Sequence, residues 1–178
     1  MTSSTKRRRA EGRPLRLPAA ALLLAVLPGA GRACDDVLFT IERSLNANVV
    51  VYEGVLEPAG GFFPRKPVDV YWLLKAEHGE RDGLNLIERG VYGYNMDPPG
   101  VDGEVTIRLK ARRSLPIRLR TVDGCPRAFA PIGGREALLD RVWVQVAGRG
   151  FLSRKVEYLE LLGTDPETDR PVSERIVP

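Results

Sequence analysis

Val105-Thr106-Ile107-Arg108-Leu109-Lys110-Ala111 alternates apolar and polar side chains without a fault. In an extended chain successive side chains point to opposite faces, so this run has one face for a core and one for water. A helix built from it would scatter its apolar groups all round. Ile117-Arg118-Leu119-Arg120 repeats the pattern, and so does Val142-Trp143-Val144-Gln145-Val146, with Trp143 on the second face. Leu38–Glu42, Asn48–Val55, Val68–Lys75, Tyr92–Asn95, Arg127–Ile132 and Val156–Leu162 are further strand candidates, rich in β-branched or aromatic residues. Turn clusters such as Glu57–Gly61 and Asp97–Gly103 separate them. Eight or so short strands joined by Pro/Gly-rich connections predict a mainly β chain, a single antiparallel β-sandwich or barrel-like domain. Periodicity does not choose between these two.

Helix is scarce. Leu84, Ile87, Glu88 and Val91 sit at helical spacing after Asp82-Gly83 and predict about two turns before Gly93. Glu136–Asp140 predicts another short turn, so one or two short helices accompany the strands. No repeat of 20–50 residues is present.

The first 33 residues read differently. Lys6, Arg7, Arg8, Arg9, Arg13 and Arg16 face the single acid Glu11, the nine apolar residues Ala19–Leu27 follow, and Gly29–Ala33 are small apart from Arg32. A basic head, an apolar middle and small residues at −3 and −1 make a signal peptide, with Gly31 and Ala33 in those positions and cleavage before Cys34. Pro18 and Pro28 bracket the run and break a longer helix. Nine residues are also too few for a transmembrane span, which needs about 20. The expected division is therefore a leader, 1–33, and one domain, 34–178, exported to the periplasm or beyond. Lipid anchoring through Cys34 is the alternative. Arg32 fits a lipobox poorly, and Ala10-Glu11-Gly12 after the arginines fits a twin-arginine signal poorly.

Removing the leader reverses the charge. The chain has 27 Lys+Arg and 23 Asp+Glu; residues 1–33 hold seven of the former and one of the latter, leaving 20 and 22, a net of −2. The basic balance of the whole chain thus gives no reason to expect nucleic-acid binding by the mature domain. No transmembrane span is expected in it either.

Cys34 and Cys125 are the only cysteines. In an oxidising compartment they form a candidate disulfide, closing a loop of about 92 residues worth roughly 4–5 kcal/mol in the chain-entropy model. Two cysteines do not make a closed zinc site.

Several stretches resemble one family: "LFTIERSLNANVVVYE" (38–53), "PVDVYWLLKAEHGE" (67–80), "LIERGVYGY" (86–94), "DRVWVQVAG" (140–148) and "VEYLELLGTDPETDRPVSERIVP" (156–178). The family is domain of unknown function 4833. The resemblance implies a single exported bacterial domain and carries no activity, cofactor or catalytic residue.

No cofactor or catalytic motif is found, and no partner is named by the sequence. The only histidine, His78, lies in Glu77-His78-Gly79-Glu80 with no nucleophile beside it. Glu77, His78, Glu80 and Asp82 lack the ordered spacing of a calcium loop. Asp165, Glu167 and Asp169 alternate as some calcium turns do, but Asp-Pro chemistry reads more simply as a hairpin turn. The most unusual charge feature is Arg108, Lys110, Arg112, Arg113, Arg118 and Arg120, which project from one face if residues 105–120 form a hairpin. Arg108, Lys110, Arg118 and Arg120 are the candidate ligand residues, suited to an anionic glycan, phosphate, lipid headgroup or other envelope component. The opposing expectation is a solvated sheet face paired with acids on neighbouring strands. Tyr71, Trp72, Tyr92 and Tyr94 are expected in the core rather than as a ligand platform. The function expected from all this is a non-catalytic binding or structural domain of the envelope. Polyanion binding by the arginine-rich hairpin and a carboxylate-using hydrolase are the alternatives.

Overall fold

A computed structural model describes residues 34–98, 104–148 and 155–178; the expected leader lies outside them. Eleven strands follow in chain order: β1 Val37–Arg43, β2 Asn46–Gly54, β3 Val68–Leu74, β4 Glu80–Gly83, β5 Tyr94–Met96, β6 Val105–Leu109, β7 Arg112–Val122, β8 Cys125–Ile132, β9 Arg135–Ala147, β10 Lys155–Asp165 and β11 Arg170–Ile176. Among the described residues the one α-helix, α1, spans Leu86–Val91. A 3₁₀ turn, Lys75–Glu77, links β3 to β4. The chain is mainly β, as expected, and its nine-strand path β4-β3-β2-β1-β9-β8-β7-β6-β5 curls into a half-barrel.

The shape follows from β9. Leu138 pairs with Phe129 of β8 and with Thr164 of β10, while Val142 pairs with Ile41 of β1 and with Leu161 of β10. A strand has two edges, so β8 and β1 follow one another along the edge opposite β10. The strands continuing from them diverge as two arms, β8 to β5 and β1 to β4. β1 runs parallel to β9, and every other pairing between the named strands is antiparallel.

The alternation seen in the sequence becomes the two faces of these arms. Ile107, Leu109, Ile117, Leu119, Ile132 and Leu139 turn inward and join Ile41, Val50, Tyr52 and Leu161 in one buried cluster. Val49 and Val51 lie on the opposite face of β2 and form a smaller cluster with Tyr71. The run Val49–Tyr52 is thus buried on both faces, which is why it reads as continuously apolar.

One expectation needs correcting. Glu136–Asp140 is not helical; it lies within β9, where pairing with β8 and β10 overrides local propensity. β4 and β11, too polar to stand among the strand candidates, are edge strands, and all four residues of β4 are exposed. The short helix expected before Gly93 is α1, although its apolar spacing does not produce a buried stripe. Leu84 is buried just before α1, but Ile87 is 82% exposed. What sets α1 is its start: Asn85 accepts from the amide of Glu88 at 3.0 Å and Glu88 accepts from that of Asn85 at 2.9 Å, a reciprocal cap.

Cys34 and Cys125 form a disulfide, with Cα atoms 5.4 Å apart. It ties the start of the described chain to the first residue of β8.

Candidate functional site

β6 and β7 pair so that Thr106 faces Arg118 and Arg108 faces Pro116. Arg108, Arg118 and Arg120 do project from the outer face, but each has carboxylate partners. The Arg108 Nε lies 2.9 Å from both oxygens of Asp97. Arg118 pairs with Glu104 at 3.6 Å and also with Glu136. Arg120 pairs with Glu104 at 2.8 Å and with Glu136 at 2.6 Å, its guanidinium 5.2 Å from the Phe129 ring centre. Partial burial alone would raise the Glu136 carboxyl. Hydrogen bonds from Arg120 and Arg118 outweigh it and hold the group below its ordinary value. The structure brings together Arg118 and Arg120, with two acids interleaved. Arg108 is held apart by Asp97. Glu104 and Glu136 are 14 to 18 residues from the arginines they meet, a separation at which no spacing rule in the sequence signals a pair.

Lys110 turns elsewhere. Its amide donates to the Gly93 carbonyl at 2.9 Å, and its side chain lines an open basin of about 570 Å³ between β3, β4 and α1. Lys66, Arg81 and Arg89 share that basin with Tyr71 and Tyr94. Their charges are partly engaged: Lys66 with Asp69 at 2.6 Å, and Arg81 with Glu53 at 2.9 Å while lying 4.4 Å from the Tyr71 ring centre. Burial, then the 2.6 Å hydrogen bond to Glu53, pushes the Tyr71 phenol up to about 12. Tyr94 donates to the Val68 carbonyl at 2.9 Å.

A second concavity is of different character. Inward-facing side chains of β1, β6, β7, β9, β10 and β11 leave a gap between them at one place. Ile41, Leu109, Leu115, Val142, Leu161 and Ile176 line a cleft of about 290 Å³ there, with Val91 and Val156 at its exposed rim. Arg112 is the one charged side chain among the described residues that line it. Tyr92, where α1 ends, forms part of the wall. Its ring stands edge-on to Trp72, the centroids 5.3 Å apart. The Arg43 guanidinium lies over both rings, at 5.4 Å from Trp72 and 5.6 Å from Tyr92. Three of the four expected core aromatics, Tyr71, Trp72 and Tyr92, are indeed buried, and Tyr92 also borders the cleft. Sequence reasoning passed over the cleft because its residues look like ordinary core positions.

The remaining candidates lie apart. His78 and the acids Glu77, Glu80 and Asp82 are exposed along the β3–β4 hairpin, with His78 in a left-handed backbone conformation at the turn (φ 56°). Asp165 is buried at the β10–β11 turn. It accepts from the amides of Glu167 at 2.9 Å and Thr168 at 3.2 Å, and from Arg135 at 3.0 Å. The Glu167 amide and then Arg135 hold its carboxyl below the ordinary range. The Asp-Pro stretch is therefore a hairpin turn, as read from its chemistry. Among the described residues, no group of three or more His, Cys, Asp or Glu converges as a metal site. No helix among them is long and apolar enough to cross a membrane.

The model of one family matches residues 39–175, and its description is Domain of unknown function (DUF4833). No curated protein and no solved structure matches the chain.

Proposed function

The chain belongs to the DUF4833 family, and on that premise we propose that it is an exported bacterial envelope domain that binds an apolar ligand without transforming it. The observation that carries this reading is the apolar cleft between the inward faces of these strands. A concave, mostly apolar site with a few placed polar groups is the usual form of a small-molecule pocket. Acid–base chemistry needs a titratable group near the ligand, and this wall offers a tyrosine and an arginine. Export is supported by the leader pattern of residues 1–33 and by the Cys34–Cys125 bridge, since disulfides persist in oxidising compartments. That bridge also occupies the sulfur a lipid anchor would need.

Two measurements test the reading. Intact-mass analysis of protein from the cell envelope should show loss of residues 1–33; a full-length cytoplasmic product overturns export. Uncharged decanol should raise the melting temperature by mass action, and Val91→Asp at the exposed rim should remove that shift. A ligand effect indifferent to Val91→Asp would place binding outside the cleft.

Anion binding is a second reading, favoured by one observation: Lys110, Lys66, Arg81 and Arg89 line the open basin and outnumber its two acids, Asp69 and Asp82. On this reading an acidic glycan raises the melting temperature at low salt. Lys110→Gln weakens the effect, while Arg118→Gln leaves it intact.

A further inference from the structure

Arg112 and Arg43 differ from the arginines of the outer face. Among the described residues neither has a carboxylate within salt-bridge distance, whereas Arg108, Arg118 and Arg120 each do. Both are half-buried, so their charge is incompletely hydrated. Arg112 lines the cleft directly. Arg43 is paired in register with Val144, a cleft residue, and shares the inward face of β1 with Ile41 two positions earlier. Its guanidinium lies over the rings of Trp72 and Tyr92, the second of which lines the cleft. The described lining contains no acidic side chain. Glu88, the acid close enough to influence Tyr92, is occupied as the cap of α1. An apolar cleft with unpaired positive charge at its rim is complementary to a molecule with an apolar body and one negative end.

We propose, resting on the binding role given above, that the cleft takes an amphiphile whose alkyl chain fills the apolar wall and whose carboxylate or phosphate head is gripped by Arg112, with Arg43 adding positive potential beside Tyr92. Guanidinium is suited to either head, because its fork matches two oxygens of a carboxylate or a phosphate. The cleft volume is at the small end of ligand sites, roughly 300–1,000 Å³, which fits a single medium-length chain rather than a two-chain lipid. Positively charged rims also draw anionic ligands in faster, an effect that salt weakens.

The test uses the full chain with Trp143→Phe. Trp143 alternates with the cleft residues Val142 and Val144 and so faces away, which leaves Trp72, in contact with Tyr92, as the fluorescent reporter. Decanoate, decyl phosphate and decanol are titrated separately, below their aggregation limits. Binding of the anionic pair should be about 10- to 100-fold tighter than that of decanol, the range of a charge-assisted hydrogen bond. Arg112→Gln should erase the advantage and leave decanol unchanged, and Arg112→Lys should restore part of it. Whichever of decanoate and decyl phosphate binds tighter identifies the head group. Equal binding of all three, untouched by Arg112→Gln, overturns the anionic-head proposal while the apolar binding role stands. Failure of all three to bind overturns both.

Discussion

The phenol of Tyr52, fully buried in β2, donates a hydrogen bond to the backbone carbonyl of Tyr92 forty residues away. Phe39 stacks on the same ring at 4.3 Å. The contact joins the β1–β4 arm to the end of α1 and so sets the wall of the cleft. Tyr52→Phe keeps the stacking but leaves the Tyr92 carbonyl without its partner. It should cost about 1–3 kcal/mol, seen as a lower urea midpoint, and should weaken decanol binding. An unchanged midpoint would show that the bond contributes nothing net.

The Cys34–Cys125 bridge closes a separation of 91 residues. Converting both cysteines to alanine should lower stability by about 2–5 kcal/mol. Dithiothreitol should reproduce the loss in the wild type and have no effect on the double variant.

Gly163 sits where the β9–β10 register shifts. A Cβ there would lie 2.1 Å from the Leu138 carbonyl oxygen and 2.9 Å from Ile132 Cδ1. Backbone must move to admit it, so Gly163→Ala should destabilise by about 1–3 kcal/mol. A neutral result in thermal melts would mean that the strands separate without cost.

Acid should unfold the domain by way of Glu136 and Asp165. Their ordinary values are 4.5 and 3.8, and both are lowered in the folded chain. A lowered folded value means that the stabilisation is complete above the ordinary value and is lost as pH falls through the lowered one. Melting temperature should therefore hold steady above about pH 5 and drop progressively below it. Glu136→Gln should flatten part of that drop.

Arg118→Gln together with Arg120→Gln should lower stability by about 1 kcal/mol or less, since these are half-exposed ion pairs. The Glu136 carboxyl should move up through its ordinary value of 4.5, since burial is then the remaining influence on it, measurable by NMR titration. If stability instead rises, repulsion among the arginines outweighs their bonds to Glu104 and Glu136.

Much of the local structure was legible in the chain. Alternation at 105–109 and 142–146 assigned inward and outward faces correctly, because a strand imposes that period whatever it pairs with; it failed at Lys110 and Ala111, where the chain turns. A lone pair of cysteines left one intramolecular bridge to form. Asp165-Pro166 announced its turn through side-chain chemistry acting within three residues.

The tertiary structure decided what depends on distant partners. Nothing local in Arg135–Ala147 says that one edge will take β8 and then β1, or that β1 will lie parallel to it. Strands from both sides of that fork line the cleft. Nor does the charge pattern of 108–120 reveal which arginines are already engaged: Glu104 and Glu136 reach Arg118 and Arg120 only through the strand register. Arg43 and Arg112 looked no different in the sequence from their paired neighbours. Local periodicity records which face a residue takes, while partnership depends on register between strands far apart in the chain. It was register that joined the outer arginines to acids and left Arg112 at the mouth of an apolar cleft.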